Sequence, residues 1–342
     1  MVERGWPGST NPYLKHNPPF VGLFWTSATM HGDPLCFIDR GTGRATATLL
    51  FPPDRVISMR SAAGDIEYGE RTDFELDGET GIVTLTPGSR VPVVGRAELS
   101  MLDDPDDLFR RRQVHASYTH RAGQWSGYVP PFSGRDLPKT MSRLGAGQPV
   151  TIAITGDSIS EGYSASGFDD VPPRQPPYAG LVASGLTRAY GSPIALRNFA
   201  VAGSAADGGG DAESVAAAKP DLVIVAFGMN DSGYAAAEDF AVSISSIVRE
   251  IGSRAPDAEF VLVSSMLPNP AFAYPIIGRF AEYRAALAAL CGAGIVLADV
   301  TAMWTDLLTR KSVYDLTGNG VNHPNDFGHQ VYAQVILGVL TR

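Results

Sequence analysis

Residues 1–145 carry short runs in which apolar and polar positions alternate. Alternation with a period of two is typical of strands that bury one face. Turn-forming residues such as Pro52-Pro53 and Asp77-Gly78 separate these runs. The pattern predicts an all-β sandwich of jelly-roll-like type. The predicted strands lie at 21–25, 45–51, 56–61, 73–76, 81–86 and 113–120.

From residue 146 the pattern changes to continuous apolar strands that alternate with amphipathic helices. This alternation predicts an α/β domain whose parallel sheet is covered by helices on both faces. We therefore expect a β-sandwich domain over 1–145 and an α/β domain over 146–342. The predicted strands lie at 150–155, 194–199, 222–227, 260–266 and 295–300. The predicted helices lie at 178–189, 237–254, 277–291 and 326–340.

Composition and net charge limit the classes of partner and cofactor that the protein is expected to bind. The 27 Lys and Arg residues against 36 Asp and Glu residues give a net charge of −9, and no segment concentrates the basic residues. Nucleic acid and anionic membrane surfaces are therefore poor partners. Cys36 and Cys291 are the only cysteines, and no cluster has zinc-ligand spacing, so we expect no disulfide, metal or cofactor. Residues 1–8 lack a signal-peptide pattern, which favours a cytoplasmic location, or secretion if a leader precedes them.

Three strand ends of the predicted sheet carry candidate chemistry, and ligands of α/β sheets gather at such ends. Ser158 follows the first strand between Gly156 and Gly162, as a nucleophile does at a sharp strand-to-helix turn, although a helix cap is the alternative. Gly203 and Asn230 follow the next two strands. Their amides suit an oxyanion hole, with a turn glycine and a capping residue as the alternatives.

These candidate residues belong to four short blocks of sequence. Gly156-Asp157-Ser158, Gly203, Gly228-Met229-Asn230-Asp231 and His323-Pro324 stand in this order, and they resemble the four conserved blocks of the SGNH (GDSL-type) hydrolases. The resemblance covers residues 148–342 and implies a flavodoxin-like three-layer α/β/α fold. It also implies that Ser158 is the nucleophile and first oxyanion donor, that Gly203 and Asn230 are the other donors, and that His323 is the base. We expect Asp157 and Asp231 to hold the loops.

The chain departs from the family pattern at Gly320, where the family places the aspartate that orients the histidine. Three replacements are open: a backbone carbonyl of residues 317–322, which we favour, a side-chain amide of Asn319 or Asn322, or the carboxylate of Asp315. A histidine base needs such a partner to fix its tautomer and orientation.

The resemblance implies a serine esterase that acts on short-chain esters, acetyl esters above all. A β-sandwich before the catalytic domain is similar to two-domain carbohydrate esterases, which favours small-molecule or carbohydrate esters as substrates. A thioesterase or lysophospholipase, and a non-catalytic carbohydrate-binding protein, are the alternatives. The loop 164–177 contains four prolines, and we expect it to form one side of the substrate pocket. The alternative is a solvent-exposed connection without a role in binding. Oligomeric state stays open.

Overall fold

The computed structural model describes residues 23–41, 43–100 and 108–342. The N-terminal strands are β1 (Thr29–Leu35), β2 (Thr46–Thr48), β3 (Arg55–Ser61), β4 (Phe74–Leu76), β5 (Ile82–Leu85) and β6 (Val114–Thr119). They form two antiparallel sheets of three strands each, in the orders β1-β6-β3 and β2-β5-β4. This confirms a β domain before the α/β part, with six described strands in two sheets against the eight of a full jelly roll.

Two parts of the strand prediction were wrong, for physical reasons. The sequence at β1 contains Gly32, Asp33 and Pro34, which disfavour strands. β1 lies at the edge of its sheet and pairs only with β6, and proline is tolerated on edge strands. The strand expected at 21–25 is not formed by its described part, because Phe24 and Trp25 lie in a turn. Both are apolar because they are buried in the core.

The second half forms the predicted α/β domain. Its strands are β7 (Val150–Gly156), β8 (Ile194–Asn198), β9 (Leu222–Ala226), β10 (Glu259–Val263) and β11 (Ile295–Ala298). They make one parallel sheet in the order β11-β10-β9-β7-β8. Continuous apolar strands such as β9 are buried along their whole length, as a sheet covered on both faces requires.

The described residues form ten α-helices, of which the first precedes the last N-terminal strand and the later ones include those that cover this sheet. They are α1 (Leu108–Arg112), α2 (Pro138–Gly145), α3 (Ser158–Glu161), α4 (Tyr178–Tyr190), α5 (Ala212–Ala217), α6 (Ala237–Arg254), α7 (Gly278–Ala289), α8 (Val300–Leu307), α9 (Val313–Leu316) and α10 (Asp326–Leu340). α10 begins where the Asn325 side chain accepts a hydrogen bond from the Gly328 N–H at 2.9 Å, which is an N-cap. Within the described ranges, no helix is long and apolar enough to cross a membrane.

The two halves share one hydrophobic core. A single cluster of buried side chains includes Phe51 and Tyr118 from the N-terminal strands and Trp304 and Val335 from the α/β part. α2 lies before residue 146 yet binds the α/β part, since the N–H groups of its first residues donate to the carboxylate of Glu259. The boundary at residue 145 stays a prediction.

Candidate active site

The turn after β7 carries Ser158. The Asp157 carboxylate caps α3 by accepting a hydrogen bond from the Ile159 N–H at 3.0 Å, so Ser158 is the first residue of that helix. Gly156 must be glycine, because a Cβ there would lie 2.4 Å from both the Ala226 carbonyl oxygen and the Ser160 Oγ. The short turn therefore presents Ser158 at the carboxyl edge of the sheet, as the sequence predicted.

His323 meets Ser158 from the other end of the chain. Its Nε2 lies 2.8 Å from the Ser158 Oγ, which is hydrogen-bond distance for a nucleophile and its base. The ring of Tyr163 packs beside the imidazole with 5.2 Å between ring centroids. The structure thus brings together the two residues that the sequence assigned to the reaction.

Asn319 organises the loop that presents His323. Its side-chain oxygen accepts hydrogen bonds from the N–H groups of Val321, Asn322 and His323 at 3.0, 3.0 and 3.1 Å. Because the oxygen faces these three donors, the amide nitrogen must point the other way. That nitrogen lies 3.0 Å from Nδ1 of His323. The structure thus brings the Asn319 side chain, one of the three alternatives, next to Nδ1. An amide nitrogen only donates, so this contact does not supply the acceptor that the aspartate of the family provides.

Asp315 does not reach His323, so the third alternative is corrected. Its Oδ1 accepts from the Cys36 N–H at 2.6 Å, and its Oδ2 accepts from the Ser312 N–H at 2.7 Å. The second of these bonds belongs to a capping box at the start of α9. Burial raises the pKa of this carboxyl group, while Lys311 opposes the shift. Asp315 is a structural residue between the two halves.

The packing around Gly320 explains the departure from the family pattern. Gly320 adopts φ +73°, and a Cβ at this position would lie 2.4 Å from the ring of Phe109. Phe109 belongs to α1 and is fully buried. A Cβ at position 320 would collide with this ring, so an aspartate does not fit there while Phe109 keeps its place.

The Gly203 amide is the second oxyanion candidate. Gly203 lies in the exposed loop after β8 with φ +79°. The Glu161 carboxylate of α3 accepts a hydrogen bond from the adjacent Ala202 N–H at 2.7 Å, and the Val201 N–H donates to the Gly156 carbonyl at 3.1 Å. The nucleophile turn and the Gly203 loop are therefore fixed to each other. The contact of Glu161 could not be predicted, because nothing in the sequence shows which loop its side chain meets.

The Asn230 side chain is the third candidate donor. One of its two amide hydrogens serves the Ser204 carbonyl at 2.8 Å, which orients the amide. The neighbouring Asp231 accepts hydrogen bonds from the N–H groups of Ala206 and Gly228 at 2.8 and 3.0 Å. Asp231 thus links the loops of Gly203 and Asn230, which agrees with the structural role that we expected for it.

Asp157 and Asp231 are both buried beside the site. Burial raises the pKa of Asp157 to about 7, a shift that the Ile159 N–H opposes and the nearby Asp231 increases. Burial also raises the pKa of Asp231. Neither carboxylate therefore stays charged without cost at neutral pH, and their contacts are those of loop anchors.

A second histidine near the site, His329, has structural contacts. His329 binds the Tyr163 carbonyl through Nε2 at 3.0 Å and receives the Tyr178 N–H at Nδ1. It therefore ties α4 and the loop after Ser158 to α10. Among the described residues, no group of three or more potential ligands is arranged for a metal ion.

With this geometry established, the sequence model of the GDSL-like lipase/acylhydrolase family was found to match residues 154–331, which is just over half of the chain. The chain belongs to this family. The match begins within β7 and ends within α10, and it contains every residue assigned above to the site. A search of curated proteins found no match.

Several solved structures resemble this family member. A two-domain esterase active on acetylated mannans has 23% sequence identity and a TM-score of 0.49, and the likeness covers 63% of this chain and 55% of that one. This chain therefore spans little more than half the length of that esterase. An acetylxylan esterase from Geobacillus stearothermophilus has 18% identity and a TM-score of 0.45, with 56% and 96% covered. A GDSL-like lipase from Parabacteroides merdae has 17% identity and a TM-score of 0.45, with 56% and 95% covered.

Proposed function

We propose that this protein is a serine ester hydrolase that removes short acyl groups, acetyl above all, from an alcohol such as a sugar hydroxyl. The observation that carries the proposal is the 2.8 Å contact between the Ser158 Oγ and the His323 Nε2. The loops of Gly203 and Asn230 adjoin this pair at the same sheet edge. Family membership supports acyl-ester chemistry.

The geometry supports a two-step mechanism. His323 accepts the Ser158 hydroxyl proton as the Oγ attacks the ester carbonyl carbon, and the oxyanion of the tetrahedral intermediate binds the donors of Ser158, Gly203 and Asn230. His323 then returns the proton to the departing alcohol, which leaves an acyl enzyme. A water molecule then attacks this acyl group as His323 takes its proton. When the second intermediate collapses, the bond from the acyl carbon to the Ser158 Oγ breaks, His323 returns the proton to that oxygen, and the acid is released.

Two other functions differ from this proposal in ways that can be measured. A thioesterase or lysophospholipase of the same mechanism differs in acyl length, so rates on acetyl and long-chain p-nitrophenyl esters separate the two. A non-catalytic carbohydrate-binding protein would not require a serine and a histidine at hydrogen-bond distance from each other. The intact pair therefore favours the enzyme.

The test is the Ser158→Ala variant assayed on p-nitrophenyl acetate. We expect kcat to fall about 10⁶-fold, as for other serine hydrolases that lose the nucleophile, with the thermal unfolding of the protein unchanged. A fluorophosphonate should label the wild-type protein and fail to label this variant. Ser245→Ala, at an exposed position of α6, is the matched control and should keep full activity. Wild-type turnover by Ser158→Ala would rule out the proposed nucleophile.

A further inference from the structure

A cavity of about 460 Å³ opens between the N-terminal strands and the proline-rich loop that follows Ser158. One wall is the turn after β3, with Ala62 and Ala63, and Arg111 of α1 stands beside it. Val171 to Pro173 of the loop 164–177 form the facing wall. A cavity of this volume is within the range of small-molecule sites.

The cavity adjoins the catalytic pair without including it. Ser158 and His323 are not among its lining residues, yet both places share the loop 164–177. Phe168 of this loop packs on Tyr163, which in turn packs on His323. Two residues before Phe168, the Asp326 carboxylate accepts the Ser166 N–H at 2.8 Å, and both residues line the cavity. One wall thus separates the catalytic pair from a neighbouring site.

The charges around the cavity decide which ligand it suits. Arg90 is paired with Asp73 at 2.6 Å, and Arg110 is paired with Asp169 at 3.1 Å. Because these two guanidinium groups have their own carboxylates, and Asp65 and Asp326 also line the cavity, there is no large excess of positive charge that would select an anion. An alkyl chain is also unsuitable, because it would remove guanidinium groups such as that of Arg111 from water without replacing their hydrogen bonds.

A polyhydroxyl ligand matches this lining. Arg111 and Asp65 are exposed and offer donors and acceptors, while Pro92 and Pro172 offer flat apolar faces. His115 also lines the cavity, and burial lowers its pKa to about 4, so it is uncharged at neutral pH. Hydroxyl groups can bind the polar atoms while the carbon face of a sugar ring covers the prolines.

We propose that this cavity binds neighbouring sugar units of an oligosaccharide whose ester group is placed at Ser158. The inference rests on the proposed function and adds a role for the N-terminal strands, which is to hold the carbohydrate beyond the ester. It also refines the expected role of the loop 164–177, which becomes the partition between the ester site and the sugar site.

The experiment compares a short substrate with a long one in variants of the cavity. Ala63→Trp fills the cavity from an exposed turn, and Arg111→Ala removes a donor at its rim; both positions are exposed, so folding is preserved. With acetylated xylotetraose we expect KM to rise about tenfold in each variant, as the loss of hydrogen bonds to a charged group or of the site itself implies. With p-nitrophenyl acetate, kcat and KM should stay at wild-type values.

The matched control is Ala122→Trp, the same substitution in an exposed turn that does not line the cavity, and it should behave as wild type on both substrates. Equal KM values for the oligosaccharide in wild type and Ala63→Trp would overturn the proposal. A loss confined to long-chain p-nitrophenyl esters would overturn it too, because the cavity would then hold an acyl chain.

Binding measurements keep this inference separate from the proposed function. Calorimetry with Ser158→Ala and unacetylated tetrasaccharides of xylose, mannose and glucose requires no turnover. Binding that Ala63→Trp weakens about tenfold and Ala122→Trp leaves intact supports the cavity even if the protein hydrolyses no ester. If none of the three sugars binds, or if Ala63→Trp binds as well as its control, the cavity is not a sugar site.

Discussion

Asn319 shows how a single side chain can organise the loop that carries a histidine base. Its oxygen gathers three backbone N–H groups, and its amide nitrogen faces Nδ1 of His323 at 3.0 Å. The sequence left Asn319 as one of three alternatives, because reaching the histidine four residues later depends on the fold of the loop. The loop folds this way because the oxygen of Asn319 replaces a backbone acceptor within the turn.

Replacing Asn319 by aspartate tests its position at His323. Asn319→Asp keeps an oxygen for the three N–H groups and places a second oxygen at Nδ1, where it stabilises the imidazolium. We expect activity on p-nitrophenyl acetate to be retained and the acidic limb of the kcat/KM profile to move to higher pH, because His323 then holds its proton longer. Asn319→Leu should lose about 100-fold in kcat.

The control for this pair is Asn322→Ala, which removes only the acceptor that binds the Asn319 amide nitrogen at 3.0 Å and should cost little activity. Equal losses in Asn319→Asp and Asn319→Leu, with no movement of the acidic limb, would show that Asn319 only supports the fold.

Asp157 makes stability depend on pH. Its pKa is about 7 in the folded protein because of burial and about 4 in an unfolded chain, so the folded state keeps a proton that the unfolded state loses. The stabilisation is therefore complete below pH 4 and disappears as the pH rises to about 7. We expect the free energy of unfolding of the wild type to fall across this window relative to Asp157→Asn, measured by urea unfolding. A constant difference between the two proteins would contradict the buried, protonated carboxyl group.

At the scale of elements, the predicted bounds agree with the structure where the pattern of apolar residues is long and regular. The bounds predicted for α6 and α10 match the structure, because long segments with a period of 3.6 leave little choice. β1 was not predicted because Gly32, Asp33 and Pro34 disfavour strands. It forms because it lies at the edge of its sheet, where proline is tolerated. The strand ends that carry Ser158, Gly203 and Asn230 were predictable because parallel strands deliver their loops to one edge.

Glu161 couples two of these elements. It accepts the Ala202 N–H at 2.7 Å and so fixes α3 to the loop of Gly203. Glu161→Ala should release the loop and lower kcat on p-nitrophenyl acetate by about 10- to 100-fold, with KM nearly unchanged, because a small misplacement of a catalytic group has this effect. Glu161→Gln keeps an acceptor for the N–H and should restore most of kcat. If both variants lost kcat equally, the charge of Glu161, rather than its position, would be the active property.

At the scale of the whole molecule, the N-terminal strands brace the loop that carries His323. Gln113, fully buried, donates through Nε2 to the Thr317 carbonyl at 2.8 Å and accepts from the Asn325 side chain at 2.8 Å. Phe109 fills the space beside Gly320. The sequence separates these residues from His323 by about two hundred positions, so no pattern along the chain can reveal the contact. The division into two domains therefore understates how much the first region contributes to the site.

The buried charge of Lys311 tests whether the two halves form one cooperative unit. Lys311 is fully buried, its Nζ lies 2.9 Å from Oδ1 of the buried Asp33 in β1, and it donates to the Thr48 carbonyl in β2 at 2.8 Å. Lys311→Met keeps the length of the side chain but leaves the Asp33 carboxylate buried without its cation, which costs about 3 to 5 kcal/mol. Because the halves share a core, we expect one urea transition, detected by tryptophan fluorescence and by circular dichroism, whose midpoint moves to a lower urea concentration.

Lys139→Met is the control. It removes an exposed lysine paired with the exposed Asp257 and should change stability by no more than about 0.5 kcal/mol. Two separate transitions in Lys311→Met would show instead that the N-terminal strands unfold independently of the α/β part.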